Sequence, residues 1–304
     1  MEVLITGAAG RVGRVLVEHF LEAGHAVTAT DCVLRPDLPV PLDITDLTDR
    51  LAVNRLMARG FDAVVHGGNY PNFSSVRPAE RLLIENMAMN ANVFWSALAI
   101  GVERIVFISS IQAMLEMDVD GWKRRPRLSQ EHERPAGVSE LPLHGRMPGV
   151  LGNNTYGMSK VFGEQALLGL TRYYPSLRAA SLRPAYVVTD HDLEYFGRRV
   201  MRRSHLRREG AMYVHVNDVA RACRLVVEGS EPGHETYLLA RSPRFTGMTD
   251  EQVCAEFFGD VPLKGEVGGP GGLVDLSFER ERLGWEPTGE RLEFTPPERK
   301  TQHA

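Results

Sequence analysis

The sequence predicts an α/β protein built on a parallel sheet, and three features of the chain carry this prediction. Short apolar runs alternate with longer amphipathic runs over the first 185 residues. The apolar runs contain few polar residues, and a glycine-rich turn joins the first of them to the first amphipathic run. Strands that alternate with helices form βαβ units with parallel strands, and strands covered by helices on both faces are apolar along their length.

Five short apolar runs bounded by turn residues are the predicted strands. They span residues 2–6, 26–30, 62–67, 104–109 and 179–184. Between them, apolar residues recur with the period of an amphipathic helix. These runs predict helices over 11–24, 46–59, 77–100 and 156–172. Because crossovers between parallel strands are right-handed, this order predicts a doubly wound sheet with helices on both faces.

The pattern changes after Pro184. Residues 185–290 are less regular and contain an arginine-dense run at 197–208. We interpret residues 1–184 as the sheet domain. Residues 185–290 are interpreted as a smaller part that binds substrate over the carboxyl edge of the sheet, and its late segments could add to the sheet. Residues 291–304 are polar and predict a loosely held tail.

Composition excludes several classes of protein. A net charge of −4 and 43% hydrophobic residues argue against nucleic acid or an anionic membrane as the main partner. The three cysteines, Cys32, Cys223 and Cys254, lack close spacing, which indicates a reducing compartment and no zinc site. The ten histidines form no metal-like cluster either. With no basic leader segment and no long apolar run, we expect a cytoplasmic protein without a bound metal.

The turn "GAAGRVG" carries the first functional signal. Gly7, Gly10 and Gly13 stand between the first strand and the first helix. Such glycines permit a tight turn, close approach of the backbone to a pyrophosphate, and packing of helix on strand, while the helix N-terminus supplies amide donors. The motif predicts a dinucleotide site in a Rossmann-type fold, with Arg11 and Val12 beside the glycines at the cofactor.

Asp31 bears on which dinucleotide is bound. It ends the second strand, eighteen residues after Gly13. A carboxylate at this place accepts hydrogen bonds from ribose hydroxyls and repels a 2′-phosphate. We therefore expect NAD rather than NADP. Arg11 and Arg35 could pair with a phosphate, but we interpret them as solvated arginines.

The segment "NTYGMSK" places Tyr156 and Lys160 four residues apart, which is one helical turn. The chain has 8 tyrosines and few lysines, so chance alone would seldom place a lysine four residues after a tyrosine. Taken alone, the pair is either an acid–base pair or an exposed pair on an ordinary helix.

The order of these motifs resembles the extended short-chain dehydrogenase/reductase family, in its NAD-dependent epimerase/dehydratase group. The resemblance covers nearly the whole chain. Besides the glycine turn and the Tyr-x-x-x-Lys pair, it rests on the segments "LDIT", "VVHGGN", "ENMAMNANVFWSA", "FISS", "RPAYV", "YVHVNDVA" and "RLGWEP". The length, the "HGG" turn and the "YGMSKVFGE" run are also similar to uronate dehydrogenases.

The resemblance implies further residues at the cofactor. Asp43 and Ile44 belong to the segment that approaches the adenine, and Gly67 belongs to the turn that passes the cofactor. Asn86 matches the family's asparagine-rich helix. Pro184 belongs to the segment that flanks the nicotinamide.

The resemblance also implies the catalytic roles. Tyr156 takes a proton from a substrate hydroxyl while hydride leaves for the nicotinamide, Lys160 holds the nicotinamide ribose, and Ser110 orients the substrate oxygen, with Ser109 as the alternative. We expect the pKa of Tyr156 to fall from about 10 toward about 7, because Lys160 and the oxidised nicotinamide are both cationic.

Two departures from the family bear on the substrate. Ser110 and Tyr156 lie 46 residues apart, more than in relatives, so residues 115–152 are an insertion. We interpret it as a lid or a partner-contact flap, and the alternative is a solvent loop without a role. Ala211 occupies a position where sugar-nucleotide epimerases carry an arginine, which weakens the sugar-nucleotide interpretation.

Candidate substrate contacts follow from position alone. Gln112 comes just after the serines, Tyr186 lies in "RPAYV", and Arg198 lies in the arginine-dense run, where a guanidinium could clamp a carboxylate or phosphate. The histidines of two family segments, His66 and His215, are expected to be structural.

The predicted function is NAD-dependent hydride transfer at a hydroxyl-bearing carbon of a sugar or sugar acid. One alternative is a nucleotide-sugar epimerase that oxidises NAD transiently, and another is a non-catalytic NAD-binding regulator. Dehydration ranks last, because no carboxylate pair stands beside the serines. Apolar residues in 80–98 and 156–172 predict a homodimer.

Overall fold

The computed structural model describes residues 1–71, 77–115, 137–152, 154–200, 206 and 210–296. In chain order the strands are β1 (Glu2–Thr6), β2 (Ala26–Asp31), β3 (Leu42–Ile44), β4 (Ala63–His66), β5 (Arg104–Ile108), β6 (Leu143–His144), β7 (Arg178–Pro184), β8 (Tyr186–Val188), β9 (Tyr213–His215), β10 (Gly233–Leu239), β11 (Arg244–Phe245), β12 (Val274–Asp275) and β13 (Glu293–Phe294). The helices are α1 (Arg11–Glu22), α2 (Arg50–Met57), α3 (Ala79–Ala99), α4 (Thr155–Tyr173), α5 (Leu193–Val200), α6 (Val216–Glu228), α7 (Asp250–Phe257) and α8 (Ser277–Leu283).

A parallel sheet of seven strands forms the centre of the molecule, in the order β10-β7-β5-β4-β1-β2-β3. The chain runs outward from β1 in both directions, so the strand order reverses between β1 and β4. In open α/β sheets, the carboxyl ends of the strands at such a reversal form a binding crevice. The predicted Rossmann-type, doubly wound fold is therefore confirmed.

Alternate residues of each central strand face opposite sides of the sheet. Val3 and Ile5 of β1 pack in the core under α1 and α6. Leu4, between them, packs in a second core with Phe94 of α3 and Leu167 of α4. Each core therefore has its own layer of helices, and the sheet is buried on both faces, as its apolar sequence requires.

Side-chain caps explain where several helices begin. Asp49 accepts hydrogen bonds from the backbone amides of Leu51 and Ala52 at the start of α2. Thr249 opens α7 with a capping box. Asn154 accepts from the amide of Gly157 at the start of α4. Each side chain satisfies amides that the first turn of a helix leaves without partners.

The carboxyl-terminal part is held together by short parallel strand pairs. In the described residues these are β8 with β9, β6 with β12, and β11 with β13. The strand β10 belongs to the central sheet although it lies within the predicted part 185–290. Trp285 is fully buried and its indole donates to the carbonyl of Asp218.

The second half of the predicted insertion packs into the protein. Leu141 and Leu143 are buried, and β6 pairs with β12, far away in sequence. The amide of Val150 donates to the carbonyl of Ala113. Residues 137–152 are therefore a fixed part of the fold, and residues 116–136, where a lid remains a prediction, lie outside the described residues.

The beginning of the predicted tail is also tied down. Arg291 is buried and forms a two-bonded ion pair with Asp250, at 2.7 and 2.6 Å. The amide of Leu292 donates to the hydroxyl of Tyr213. Residues 297–304 lie outside the described part of the chain.

Candidate active site

A cavity of about 750 Å³ opens at the carboxyl edge of the central sheet, where the strand order reverses. This volume lies within the usual range for ligand and cofactor sites. Thirteen of the predicted site residues line it: Gly7, Gly10, Arg11, Val12, Gly13, Asp31, Gly67, Ser110, Gln112, Tyr156, Lys160, Pro184 and Tyr186. The cavity runs from the glycine turn to the Tyr156 side chain, so the predicted cofactor and catalytic residues share one space.

The glycine turn has the geometry that a dinucleotide requires. Gly7 has a φ of +72°, and a Cβ there would lie 2.7 Å from the carbonyl carbon of Gly67. A Cβ on Gly13 would lie 2.1 Å from the Gly7 oxygen. The first turn of α1 has no side-chain cap at Gly10, so its amides lack a side-chain partner and can donate to a pyrophosphate. The cradle therefore fits the predicted cofactor.

Asp31 ties the end of β2 to the glycine turn. Its carboxylate accepts from the amide of Ala9 at 3.0 Å and from the amide of Cys32 at 2.7 Å. Across the cavity mouth, Arg11 donates to the carbonyl of Val187 at 3.1 Å and to Asp192 at 2.8 Å. Arg11 thus joins the glycine turn to the carboxyl-terminal part.

Tyr156 and Lys160 project from the first turns of α4 toward the end of β5. The Lys160 ammonium donates to the carbonyl of Ile108 at 2.8 Å and to Asn69 at 2.7 Å. It lies 5.5 Å from the centre of the Tyr156 ring. Ser110 lies next to Tyr156 in the cavity wall, close enough to affect the pKa of the phenol. The structure therefore brings the three predicted catalytic residues together.

Burial dominates the electrostatics of this cluster. It raises the pKa of Tyr156 to about 12, against the opposing effect of the hydrogen bond with Ser110. It lowers the pKa of Lys160 to about 7, with Glu164 acting in the other direction. In the chain without cofactor the pKa of Tyr156 is raised, because desolvation disfavours the phenolate and weakens the charge of Lys160. The expected fall in this pKa beside the oxidised nicotinamide stays a prediction.

The two serines at the end of β5 have different surroundings. Ser109 is buried and donates to Glu164 at 2.6 Å. Ser110 accepts from the amide of Gln112 at 3.2 Å and reaches Tyr156. The geometry favours Ser110 over Ser109 as the residue beside the reacting oxygen, and this role stays a prediction.

Asparagines of α3 hold the loops around the cavity. Asn86 bonds both the amide and the carbonyl of Tyr70. Asn92 donates to the carbonyl of Leu47. Asn90 accepts from Asn69 at 2.9 Å. Since Tyr70, Leu47 and Asn69 line the cavity, the asparagine-rich pattern of this helix has a structural reason.

A buried ion pair anchors α4 to the sheet. Glu164 lies one turn after Lys160 and pairs with Arg183 of β7 through two hydrogen bonds of 2.8 and 2.7 Å. Arg183 also donates to the carbonyl of Met147, so the segment before α4 is anchored to the same pair. Both residues lie in motifs of the sequence, but only the fold shows that they meet.

Four predicted site residues lie outside the cavity wall in the described part of the chain: Asp43, Ile44, Asn86 and Arg198. Asp43 pairs with Arg59 at 3.0 Å, Ile44 is exposed, and Arg198 is 70% exposed beside Glu194. Their roles stay predictions. At the adenine end, the residues that line the cavity instead are Thr45, Asp46 and Leu47.

Some predicted features lie outside the described residues or away from the site. The arginines at 202, 203, 207 and 208, and the side chain of Arg199, are not described. His66 is buried between Thr6 and Asn90, and burial lowers its pKa to about 3. His215 caps the start of α6. Within the described residues, no cluster of acidic, histidine or cysteine side chains could hold a metal ion.

The described helices include none with the length and apolar character that crossing a bilayer requires.

Comparison with known proteins places this site in a family. The model of the NAD dependent epimerase/dehydratase family matches residues 3–240. The chain is 29% identical over 254 residues to L-arabinose 1-dehydrogenase (NAD(P)(+)) of Haloferax volcanii, covering 82% of this chain and 92% of that one. It is 25% identical over 329 residues to UDP-glucose 4-epimerase of Corynebacterium glutamicum, covering 94% and 91%.

A solved structure shows the same fold. The crystal structure of uronate dehydrogenase from Agrobacterium tumefaciens superposes with a TM-score of 0.64 at 20% identity, and the match covers 99% of this chain and 91% of that one. The comparisons confirm the predicted enzyme class, an NAD-dependent oxidoreductase or epimerase acting on sugars. The chain belongs to the NAD dependent epimerase/dehydratase family.

Proposed function

We propose that the protein oxidises a hydroxyl-bearing carbon of a free sugar or sugar acid with NAD, and that Tyr156 is its acid–base residue. One observation carries the proposal. Ser110, Tyr156 and Lys160 meet in the cavity that continues to the glycine turn. A non-catalytic NAD-binding regulator would have no need of this cluster.

The residues of the chain divide the work between binding and proton transfer. When bound, NAD supplies the hydride acceptor. The amides at the start of α1 hold the pyrophosphate, Asp31 accepts from ribose hydroxyls, and Lys160 binds the second ribose. Ser110 orients the substrate hydroxyl, and Tyr156 accepts its proton.

The substrate class rests on the relatives and on Ala211, which precedes the cavity-lining Met212 in the chain. The first relative acts on L-arabinose, a free sugar. Ala211 stands where sugar-nucleotide epimerases carry an arginine, and it is buried with a φ of 52°. A buried alanine cannot pair with a diphosphate, so the site favours a free sugar over a sugar nucleotide.

A second candidate function is epimerisation of a sugar nucleotide with transient oxidation of NAD. The observation that favours it is the similarity to UDP-glucose 4-epimerase along 94% of the chain. The two functions use the same proton transfer and differ in whether the hydride stays on the cofactor.

A screen of uronic acids, aldoses and sugar nucleotides with NAD, followed at 340 nm, tests the proposal. Net NADH with a free sugar or sugar acid is the expected result. Conversion of a sugar nucleotide to its epimer without net NADH would replace the dehydrogenase by the epimerase. An absence of turnover with every class, in a protein that binds NAD, would favour the regulator.

We also propose a cytoplasmic homodimer. Ile84, Met87 and Trp95 are exposed along α3, and burying them against a second copy would remove apolar surface from water. Light scattering should give twice the 33.8 kDa of one chain. A mass of one chain at micromolar concentration would contradict the dimer.

A further inference from the structure

Asn154 opens the catalytic helix and has a defined orientation. Its side-chain oxygen accepts from the backbone amide of Gly157 at 3.2 Å. A backbone amide is only a donor, so the oxygen of Asn154 must face it. The amide nitrogen of Asn154 therefore points the other way, as a donor.

This orientation determines the orientation of Gln112. The nitrogen of Asn154 donates to the side-chain oxygen of Gln112 at 2.9 Å. Because that oxygen is occupied, the free end of Gln112 is its NH₂ group. Gln112 lines the cavity and is partly exposed, and in the described residues its NH₂ group has no hydrogen-bond partner. The NH₂ group of Gln112 is therefore available as a hydrogen-bond donor to a molecule in the cavity.

The donor lies beside the reacting groups. The backbone amide of Gln112 donates to the Ser110 hydroxyl at 3.2 Å, and Ser110 lies next to Tyr156 in the cavity wall. A substrate whose hydroxyl contacts Ser110 and Tyr156 would bring neighbouring atoms to Gln112. Whether Gln112 presents a donor or an acceptor therefore matters for the substrate atoms next to the reacting carbon.

We propose that Asn154 is a positioning residue that makes Gln112 a hydrogen-bond donor to the substrate, so that the site selects an acceptor oxygen near the reacting hydroxyl. This inference rests on the proposed function. Suitable acceptors are a ring oxygen, a hydroxyl oxygen, a carbonyl or a carboxylate. An ammonium group at the same place would face another donor, so amino sugars carrying it there are poor substrates.

Asn154→Asp and Gln112→Leu separate this role from simple helix capping. Aspartate is as good an N-cap as asparagine, but its carboxylate cannot donate to Gln112. The amide of Gln112 then turns to donate to the new carboxylate, and its oxygen faces the cavity. Gln112→Leu removes the polar group altogether. Asn154→Ser is a second cap-retaining variant, with a side chain too short to hold Gln112 in place.

Steady-state kinetics of wild type, both single variants and the double variant form the test. Gln112→Leu should lower kcat/KM for the sugar about three- to tenfold, the loss of one neutral hydrogen bond. Asn154→Asp should lower it about tenfold or more, because an acceptor then meets an acceptor. In the double variant the loss should equal that of Gln112→Leu alone, since Asn154 acts through Gln112.

Controls separate the role from folding and from the proposed function. The KM for NAD and the melting temperature should stay near the wild-type values in each variant. Unchanged kcat/KM in Asn154→Asp and in Asn154→Ser, or losses that multiply in the double variant, would overturn the inference and leave the proposed function intact. A wild-type protein without sugar turnover would overturn both.

Discussion

Tyr156 and Lys160 lie one helical turn apart, and burial moves their pKa values in opposite directions. The phenol is held neutral and the ammonium is brought close to its neutral form. The spacing of the two residues in the sequence predicts that they are neighbours. It does not reveal how much water surrounds them, and that decides the sign of each shift. The chain alone therefore stabilises the protonated phenol.

Asp31 can be judged from sequence and structure together. The sequence places a carboxylate after the second strand, and the structure shows it at the cavity wall, holding the glycine turn. Its hydrogen bonds to the backbone amides of Ala9 and Cys32 fix the position of this carboxylate in the cavity wall. The position of Asp31 could be predicted because it depends on one strand and one turn.

Asp31→Ser should raise the ratio of kcat/KM for NADP to that for NAD by about tenfold or more, as loss of one nearby negative charge removes a repulsion of at least about 1.4 kcal/mol. Serine still accepts from backbone amides. Kinetics with both cofactors provide the measurement, and Asp37→Ser, outside the cavity wall, is the control. An unchanged ratio would show that Asp31 does not face the 2′ position.

Helix α4 joins the predicted catalytic residues to the sheet. Its buried Glu164 bonds Ser109 of the segment after β5 and Arg183 of β7, so one carboxylate fixes the helix against two strands. The motif "YGMSKVFGE" shows that Glu164 follows Lys160 by one turn. It cannot show the partner, because Arg183 reaches the site through a separate strand.

Glu164→Ala should lower the free energy of unfolding by about 3–5 kcal/mol, because it leaves the buried guanidinium of Arg183 without its partner. Urea unfolding followed by circular dichroism gives this value. As the control, Glu103→Ala breaks a half-exposed ion pair with Arg178 at 3.5 Å. It should change the free energy of unfolding by no more than about 0.5 kcal/mol. Equal effects of the two substitutions would contradict the structural role of the buried pair.

Glu279 of α8 is another buried carboxylate, and it forms no ion pair with the described residues. One oxygen accepts from the amide of Leu238 at 2.8 Å, and the other is buried with no hydrogen-bond partner in the described part of the chain. Burial raises the pKa of Glu279 to about 7. The folded protein thus binds this proton more tightly than the unfolded chain does.

Glu279→Gln should remove a dependence of stability on pH. A raised pKa in the folded state contributes stability that is complete below the unfolded pKa and is lost as pH rises through about 7. Between about pH 4.5 and 8, the free energy of unfolding of wild type should fall by up to about 3 kcal/mol relative to that of the variant, at about 1.36 kcal/mol per pKa unit. Unfolding by urea across this range measures it, with exposed Glu281→Gln as the control. Parallel curves for wild type and Glu279→Gln would contradict the shift.

The elements that the sequence predicts are the buried ones. All five predicted strands occur, and each has a neighbouring strand on both sides in the sheet. Two strands of the sheet, β3 and β10, are not predicted from the sequence. β3 has only three residues, and the first half of β10 is half-buried at the sheet edge. Edge strands need less apolar character than central ones, so their sequence signal is weak.

At the scale of the whole molecule, the carboxyl-terminal part folds back onto the sheet domain. β6 pairs with β12 across 131 residues, from Leu143 to Val274, and Arg11 reaches Asp192. Such pairings depend on the path of the whole chain and leave no local periodicity. The sequence therefore predicts the sheet and the cofactor cradle well, and the packing of residues 137–152 poorly.

The cavity wall is also a product of the whole molecule. Its cofactor end comes from motifs near the amino terminus, while Met212 and Val187 come from the carboxyl-terminal part. The cofactor end repeats a geometry set by glycines and amides, so it can be predicted. The substrate end depends on how distant segments meet. The hydrogen bond from Asn154 to Gln112 therefore becomes visible only in the fold.

Tyr156→Phe tests the central claim most directly. Turnover of the sugar should fall by about 10² or more, because a positioned acid–base group contributes about that factor to a proton transfer. The rise in melting temperature on adding NAD should persist, since ligand binding stabilises the folded state. Tyr173→Phe, at an exposed tyrosine of the same helix, is the control. Near wild-type turnover in Tyr156→Phe, with NAD binding retained, would contradict the claim that Tyr156 carries the proton transfer.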